Sequence, residues 1–129
     1  QVAVVIDYNA TNIFFGDPVV WQADGSVAQA ASTGTTSGSG SLTSLGIAGV
    51  FVGCKYLSVA QKRTVWSNYW PGSDVASGNF VEGYIINDPN AKFVAQTDAS
   101  GLDQTAVNGT IGYDIGSGNT ANGISSISN

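Results

Sequence analysis

Residues 46–71 (GIAGVFVGCKYLSVAQKRTVWSNYWP) limit what this chain can fold into more than any other stretch does. In its first part, successive side chains are predicted to point to opposite faces of a strand. One face holds Val50, Val52, Cys54 and Tyr56, and the other holds Phe51, Gly53, Lys55 and Leu57. A period of two with many β-branched and aromatic residues is typical of a β-strand. Residues 58–62 are a polar connection, and residues 64–70 resume the alternation with Trp66 and Trp70 on the same face. The stretch therefore predicts a β-hairpin.

The second arm of this hairpin concentrates large aromatic side chains, namely Trp66, Tyr69 and Trp70. Aromatic residues bury the most area per side chain, so we expect the core to form here first. We interpret the three rings as a packing cluster, either in the core or between subunits. The alternative is that they form a stacking platform for sugars on the face of a β-domain.

The rest of the chain offers short strands separated by turn residues. The predicted strands are residues 2–6, 18–22, 26–30, 80–87, 91–97 and 110–115. Asp24-Gly25 is a strong hairpin signal. The Asp88-Pro89-Asn90 turn is predicted to bring residues 91–97 antiparallel to the strand before it. Residues 102–107 favour one helical turn, with Asp103 as its N-cap.

These elements together indicate an all-β fold, because no long segment repeats with a period of 3.6 residues. We predict a small antiparallel β-barrel or sandwich with long Gly/Ser/Thr loops, built as one β-domain over residues 1–129. Residues 31–44 (ASTGTTSGSGSLTS) are of low complexity. We interpret them as a flexible surface loop, with an arm that orders against a neighbouring subunit as the alternative. Residues 124–129 resemble an unfinished strand whose open edge needs a partner.

The composition excludes several classes of function. The net charge is −5, and Lys55, Lys62, Arg63 and Lys92 are the only cations. Nucleic-acid binding needs several side chains that neutralise phosphates, so we expect no nucleic-acid partner. The chain has no histidine and one cysteine, which removes histidine-based catalysis and thiolate zinc sites. Cys54 lies in an apolar strand pattern and is predicted to be a small buried hydrophobe. No apolar run is long enough to span a bilayer, so we expect no membrane partner.

The carboxylates give no clear sign of a catalytic or metal site. Most of the nine lie beside Gly, Pro or Asn, where turns place Asp for structural reasons. Glu82 is the exception, and we predict that it faces solvent from a half-buried strand. Residues 88–90 and 114–119 are the only candidate calcium loops, and neither has the spaced ligands of a known loop. We therefore predict no catalytic residue, no metal, no cofactor and no enzymatic activity.

Three segments carry a resemblance to a known family. They are residues 14–19 (FFGDPV), residues 49–56 (GVFVGCKY) leading into 65–71 (VWSNYWP), and residues 86–97 (INDPNAKFVAQT). In this order and spacing the chain resembles the small decoration, or cement, proteins of tailed-bacteriophage heads. The last motif has Asn87 where that family commonly has Asp. The resemblance spans most of the chain, from Phe14 to Gly123.

The resemblance implies a β-barrel-like virion protein on the capsid surface, which bridges capsomers. Its implied partners are the major capsid protein and copies of itself, in a homo-oligomer. Related chains continue for a strand or two after residues 116–123, so we expect a neighbouring copy, or sequence beyond Asn129, to complete the barrel. Residues 2–6 and 31–44 are the predicted inter-subunit contacts. The alternatives are an extracellular or phage fibre completed by strand exchange, and a carbohydrate-binding β-module.

Overall fold

The computed structural model of the protein describes residues 1–30, 47–97, 102–109 and 112–128. In these ranges the backbone forms short strands and one 3₁₀ turn. The elements are β1 (Val2–Ile6), β2 (Pro18–Trp21), β3 (Val27–Gln29), β4 (Ile47–Ser58), β5 (Arg63–Ser67), β6 (Val81–Ile86), η1 (Gln104–Ala106), β7 (Asp114–Ile115) and β8 (Ile127–Ser128). The predicted all-β fold is confirmed. The predicted loop or arm at residues 31–44 lies outside the described residues.

Five of the strands close into a barrel. They follow the order β2-β3-β1-β6-β4, and β4 pairs again with β2 to complete the ring. The twelve-residue β4 makes this possible because it pairs with β6 along one edge, and with β2 and then β5 along the other. The expectation that a neighbour or further sequence must complete the barrel is therefore wrong, since the strands that close it all lie before residue 87.

The predicted β4–β5 hairpin forms, but its predicted faces are wrong. Phe51 pairs with Ile85 and Gly53 pairs with Tyr84, so Val52 is an extra residue in β4. Such a β-bulge reverses the inward and outward positions that follow it. Phe51 and Cys54 are consequently both buried, although strict alternation places them on opposite faces. Gly53 has a φ of +146°, a conformation that side-chain-bearing residues rarely adopt.

Trp70 belongs to the hydrophobic core and is fully buried. Its ring packs edge-on against Tyr56, with the centroids 5.2 Å apart. Its indole N–H donates to the carbonyl oxygen of Ala10 over 3.1 Å, so the polar atom of the ring is satisfied. Around it packs a core contributed by the barrel strands and the segment before β2: Val4, Ile6, Ile13, Val19, Val27, Phe51, Cys54, Tyr56, Val81 and Ile85.

The segment after β6 departs from the prediction. The Asp88-Pro89-Asn90 turn forms, with the N–H of Ala91 donating to the Asp88 carbonyl oxygen over 3.1 Å. Residues 91–97 then form no strand against β6, and Val94 is fully exposed. The predicted pairing is wrong because β1 and β4 already occupy both edges of β6.

The C-terminal part, residues 102–109 and 112–128, folds in short pieces. The predicted helical turn is confirmed as η1, and the Asp103 carboxylate accepts from the N–H of Thr105. Of the predicted strand at residues 110–115, Asp114–Ile115 is observed, whereas residues 110 and 111 lie outside the described ranges. This strand pairs with β8, so the C-terminal strand has a partner in its own chain.

Asp17 ties the C-terminal part to the barrel. Its side chain is fully buried and accepts hydrogen bonds from the Phe14 N–H at 2.9 Å, from Gln29 Nε2 at 2.6 Å and from the Ser125 hydroxyl. A buried carboxylate is tolerated when several donors satisfy its oxygens. Beside it, Phe15 bridges to Ile124, which places residues 123–127 along one side of the barrel.

Candidate functional site

The carboxylates are mostly occupied in turns, as predicted. Four of them accept a backbone N–H from the second residue after them: Asp7, Asp24, Asp88 and Asp103. Hydrogen bonds from Ser26 and Thr105 lower the pKa of Asp24 and of Asp103 respectively. Asp98 lies outside the described residues. The four turn carboxylates therefore stabilise the local backbone in their observed positions.

Asp74 also has a structural role, although it lies far along the chain from its partners. It accepts from the Ser58 hydroxyl at 2.5 Å and from the Ala60 N–H at 2.9 Å, and it thereby fixes the end of the β4–β5 hairpin. The Ser58 bond is the main reason that the pKa of Asp74 is lowered.

The candidate calcium loops show no gathered ligands. In the described parts of the chain no three His, Cys, Asp or Glu side chains come together at a metal-binding distance. In the two candidate loops, Asp88 accepts from the Asn90 N–H and Asn119 accepts from the Ala121 N–H. The described part of the chain also contains no helix that is long and apolar enough to cross a membrane.

Cys54 is a buried hydrophobe, as predicted. Its thiol donates a weak hydrogen bond to the Tyr69 carbonyl oxygen over 3.4 Å. Burial raises the pKa of the thiol to about 12. The nucleophilic thiolate is therefore scarce near neutral pH, and this cysteine is suited to packing rather than to chemistry.

An open groove of about 980 Å³ lies between the barrel and the C-terminal part. Its lining includes residues 47 and 50–52 of β4, Ile86 of β6, and residues 93–97 and 124–127. Five apolar residues that border it are well exposed: Phe15, Ile47, Phe93, Val94 and Ile124. Contiguous exposed apolar surface of this kind is typical of an interaction site. The sequence prediction missed it because residues 93–97 were assigned to a strand.

The described lining of the groove is also uncharged. None of the described residues that line it is Asp, Glu, Lys or Arg. The polar side chains along it are neutral, such as Gln96, Thr97 and Ser126. A partner can therefore cover the groove without desolvating an ion, which is the costly part of burying polar surface. The central part of protein–protein interfaces is depleted of charge in the same way.

The predicted aromatic cluster is divided between the inside and the outside of the barrel. Trp70 belongs to the core, as the preferred interpretation holds, and Tyr69 stacks on Phe14 with the centroids 5.5 Å apart. Trp66 is instead 68% exposed. The reason is that β5 ends at Ser67 and the chain bends over the next two residues, which changes the face that the side chains present.

The exposed Trp66 is part of a second surface, which we call the Trp66 platform and define as Trp66, Tyr84, Lys55 and Glu82. The Trp66 and Tyr84 rings are nearly parallel, at 8° and 5.4 Å between centroids. Lys55 Nζ lies 5.3 Å from the Trp66 ring centroid and 3.4 Å from Glu82 Oε2. The platform occupies the outer face of β5, β4 and β6, where Lys55 pairs with both Trp66 and Glu82.

A hydrogen bond between Glu82 and Tyr84 shifts the pKa of both groups. The Tyr84 hydroxyl donates to Glu82 Oε1 over 2.6 Å. This bond, followed by the Lys55 contact, lowers the pKa of Glu82, and the same bond raises the pKa of Tyr84. Near neutral pH the carboxylate is ionised and the phenol keeps its proton. The prediction that Glu82 faces solvent is confirmed, and its closeness to Lys55 and Trp66 was missed because strand order cannot be read from the sequence.

No family model, curated protein sequence or solved structure matches this chain.

Proposed function

We propose that this chain is a virion structural protein that decorates and stabilises the outer surface of a phage head. Its proposed partners are the major capsid protein and other copies of itself, and its proposed location is the capsid surface. The role is non-enzymatic and needs no cofactor. The observation that carries the proposal is the uncharged, apolar groove beside the barrel, and the motif resemblance over residues 14–123 supports it.

The groove suits repeated protein contact for a physical reason. Burying apolar surface contributes roughly 25 cal/mol per Å², so covering the exposed apolar side chains of the groove supports a contact of modest strength in each copy. On a symmetric shell many such contacts act together, and the avidity exceeds the affinity of a single site. A closed barrel that carries the groove on its side can make this contact without unfolding any strand.

For residues 2–6, we propose a contact through two exposed side chains rather than through the strand edge. These residues are β1, which pairs with β6 along its whole length and with β3 at Ile6. The strand therefore belongs to the barrel, whereas the exposed side chains of Val2 and Val5 can contact a neighbour. The second predicted contact, residues 31–44, lies outside the described residues and stays a prediction.

A charge placed in the groove tests the proposal. Val94 is fully exposed, so Val94→Asp removes no core contact and acts only through the groove. We expect this variant to bind heads assembled without the chain at least about tenfold more weakly than wild type, because the new carboxylate must be desolvated in the interface. The matched control is Val107→Asp, which changes an exposed valine that does not line the groove.

Binding is measured by co-sedimentation of purified protein with the heads over a range of concentrations. Weakening by Val94→Asp together with unchanged binding of Val107→Asp supports the groove as the capsid contact. Failure of the wild-type chain to sediment with heads contradicts the proposed function. Equal binding of both variants and wild type contradicts the assignment of the groove.

A further inference from the structure

We propose that the Trp66 platform is a binding site for a neutral carbohydrate, independent of the groove and of the proposed capsid contact. The ligand class is a pyranose sugar with mainly equatorial hydroxyl groups, bound with its flat C–H face against the Trp66 ring. The proposal corrects the position of the sugar platform suggested by the sequence, because Trp70 and Tyr69 do not take part in it.

The first argument is the exposure of the ring. Trp66 is 68% exposed within the regular β4–β5 pair, where its partner on β4 is Lys55. An exposed indole gains little for folding, because most of its apolar area stays in water. The ring is nevertheless held in one orientation by its parallel contact with Tyr84 on the far side of β4. A pre-oriented flat apolar surface reduces the ordering cost of binding a flat ligand.

The second argument is the polar rim beside the ring. Lys55 and Glu82 lie next to Trp66, and their side chains are 35% and 44% exposed. The ammonium group has three donor hydrogens, and each carboxylate oxygen has a lone pair beyond the one used by Tyr84 or Lys55. The ammonium group lies over the Trp66 ring, 5.3 Å from its centroid, and Glu82 lies next to it, so a donor and an acceptor stand together beside the stacking surface, as recognition of adjacent sugar hydroxyl groups requires.

The third argument is charge. The two ionised groups of the platform neutralise each other at a nitrogen–oxygen distance of 3.4 Å. An anionic or a cationic ligand gains no net attraction from such a pair, whereas neutral hydroxyl groups can bond to both members. The platform thus favours a neutral sugar over a sulfated, phosphorylated or amino sugar. With one stacking ring, we expect a weak site with a Kd of about 0.1–10 mM.

The test is affinity electrophoresis of the purified chain in native gels that contain a soluble neutral polysaccharide. Hydroxyethyl cellulose, galactomannan and dextran are the probes, each over a range of concentrations. We expect at least one of them to retard the wild-type chain saturably. Trp66→Ala should weaken that binding by about tenfold or more, since it removes the stacking surface.

Trp21→Ala is the matched control, because Trp21 is also exposed, at 44%, and lies outside the platform. It should bind as wild type does. Tyr84→Phe keeps the parallel ring but removes the bond to Glu82, and we expect a smaller loss, of about threefold. Thermal unfolding of each variant, followed by circular dichroism, checks that binding is compared between folded proteins.

Three results overturn the proposal. The first is that none of the three polysaccharides retards the wild-type chain. The second is that Trp66→Ala binds as wild type, or that Trp21→Ala loses as much binding. The third is concentration-dependent self-association in sedimentation velocity that Trp66→Ala abolishes, with no effect of sugar, because the ring then contacts a second copy instead. None of these results depends on whether the groove binds a capsid.

Discussion

Trp66 and Trp70 lie close together in the sequence, yet they belong to two different regions of the molecule. Trp70 is fully buried, with its N–H bonded to Ala10 and its ring against Tyr56. Trp66 is mostly in water on the outer face, next to Tyr84 and the Lys55–Glu82 pair. Trp70 stabilises the barrel interior. Trp66 keeps most of its surface exposed to solvent, where a ligand can reach it. Aromatic residues in one sequence cluster can therefore serve stability and recognition separately.

The same contrast applies to the acidic side chains of the two regions. Asp17 is fully buried and bonds three donors from separate parts of the chain, which makes it a structural connector. Glu82 is half-exposed and bonds the Tyr84 phenol on its own strand and the Lys55 ammonium group on the neighbouring β4. Interior polar groups are costly to remove because their partners stay buried, whereas the partners of an exposed group can turn to water.

The largest expected effect is on the stability of the interior. Trp70→Ala should lower the free energy of unfolding by about 3–5 kcal/mol, because it leaves a large cavity in the hydrophobic core. Trp66→Ala should lower it by only about 0.5–1.5 kcal/mol, the range for one aromatic contact. Urea denaturation of both variants measures the two values. Equal losses would show that the two rings do not differ in role.

Cys54 offers a second test of the interior, by chemical reactivity. The pKa of its thiol is raised by burial from 9.0 to about 12, so at pH 8 the thiolate fraction is about a thousandfold smaller than for an ordinary thiol. We expect iodoacetamide to modify the native chain very slowly and the urea-unfolded chain rapidly. Trp70→Ala should speed the native reaction, and Trp66→Ala should not. Rapid labelling of the native wild-type protein would contradict the buried position.

Asp17→Ala tests the connector between the barrel and the C-terminal part. The change leaves the Phe14 N–H and the Gln29 amide without their acceptor, and we expect a loss of about 1–3 kcal/mol. The Ser125 contact is lost as well, so proteolysis after residue 112 should become faster than in wild type. Limited proteolysis with mass spectrometry locates the cuts. An unchanged cleavage pattern would mean that Asp17 does not anchor this part.

Glu82→Gln should have the smallest effect, and its effect should depend on pH. The Tyr84 hydroxyl and Lys55 lower the pKa of Glu82 in the folded state. The stabilisation from its ionised form is therefore fully present above the ordinary glutamate pKa and is lost as the pH falls through the lowered value. The melting temperatures of wild type and variant should differ slightly at pH 7 and converge at strongly acidic pH. A difference that widens on acidification would contradict this assignment.

Local patterns predicted much of this fold because local chemistry determines it. The Asp24-Gly25 hairpin forms, and the N–H of Gln22 donates to the Ser26 carbonyl oxygen at its base over 2.8 Å. The Asp103-capped turn and the long strand after residue 46 also follow from their own residues. Turn and cap preferences act over a few residues, so they are readable from sequence.

The errors arose where the structure depends on distant residues. The bulge at Val52 reversed the faces of β4, and an alternating pattern alone does not reveal an inserted residue. Residues 91–97 formed no strand because β1 and β4 had taken both edges of their predicted partner. The Trp66 platform needs β5, β4 and β6 side by side, and Tyr84 lies too far along the chain from Trp66 for their contact to be predicted.

The most direct test of the central claim is density-gradient sedimentation of particles from the source of this chain, with mass spectrometry across the fractions. We predict that the chain migrates with DNA-filled heads at a fixed copy ratio to a major capsid protein. Its appearance only in head-free fractions, as fibres or free oligomers, would contradict the decoration role.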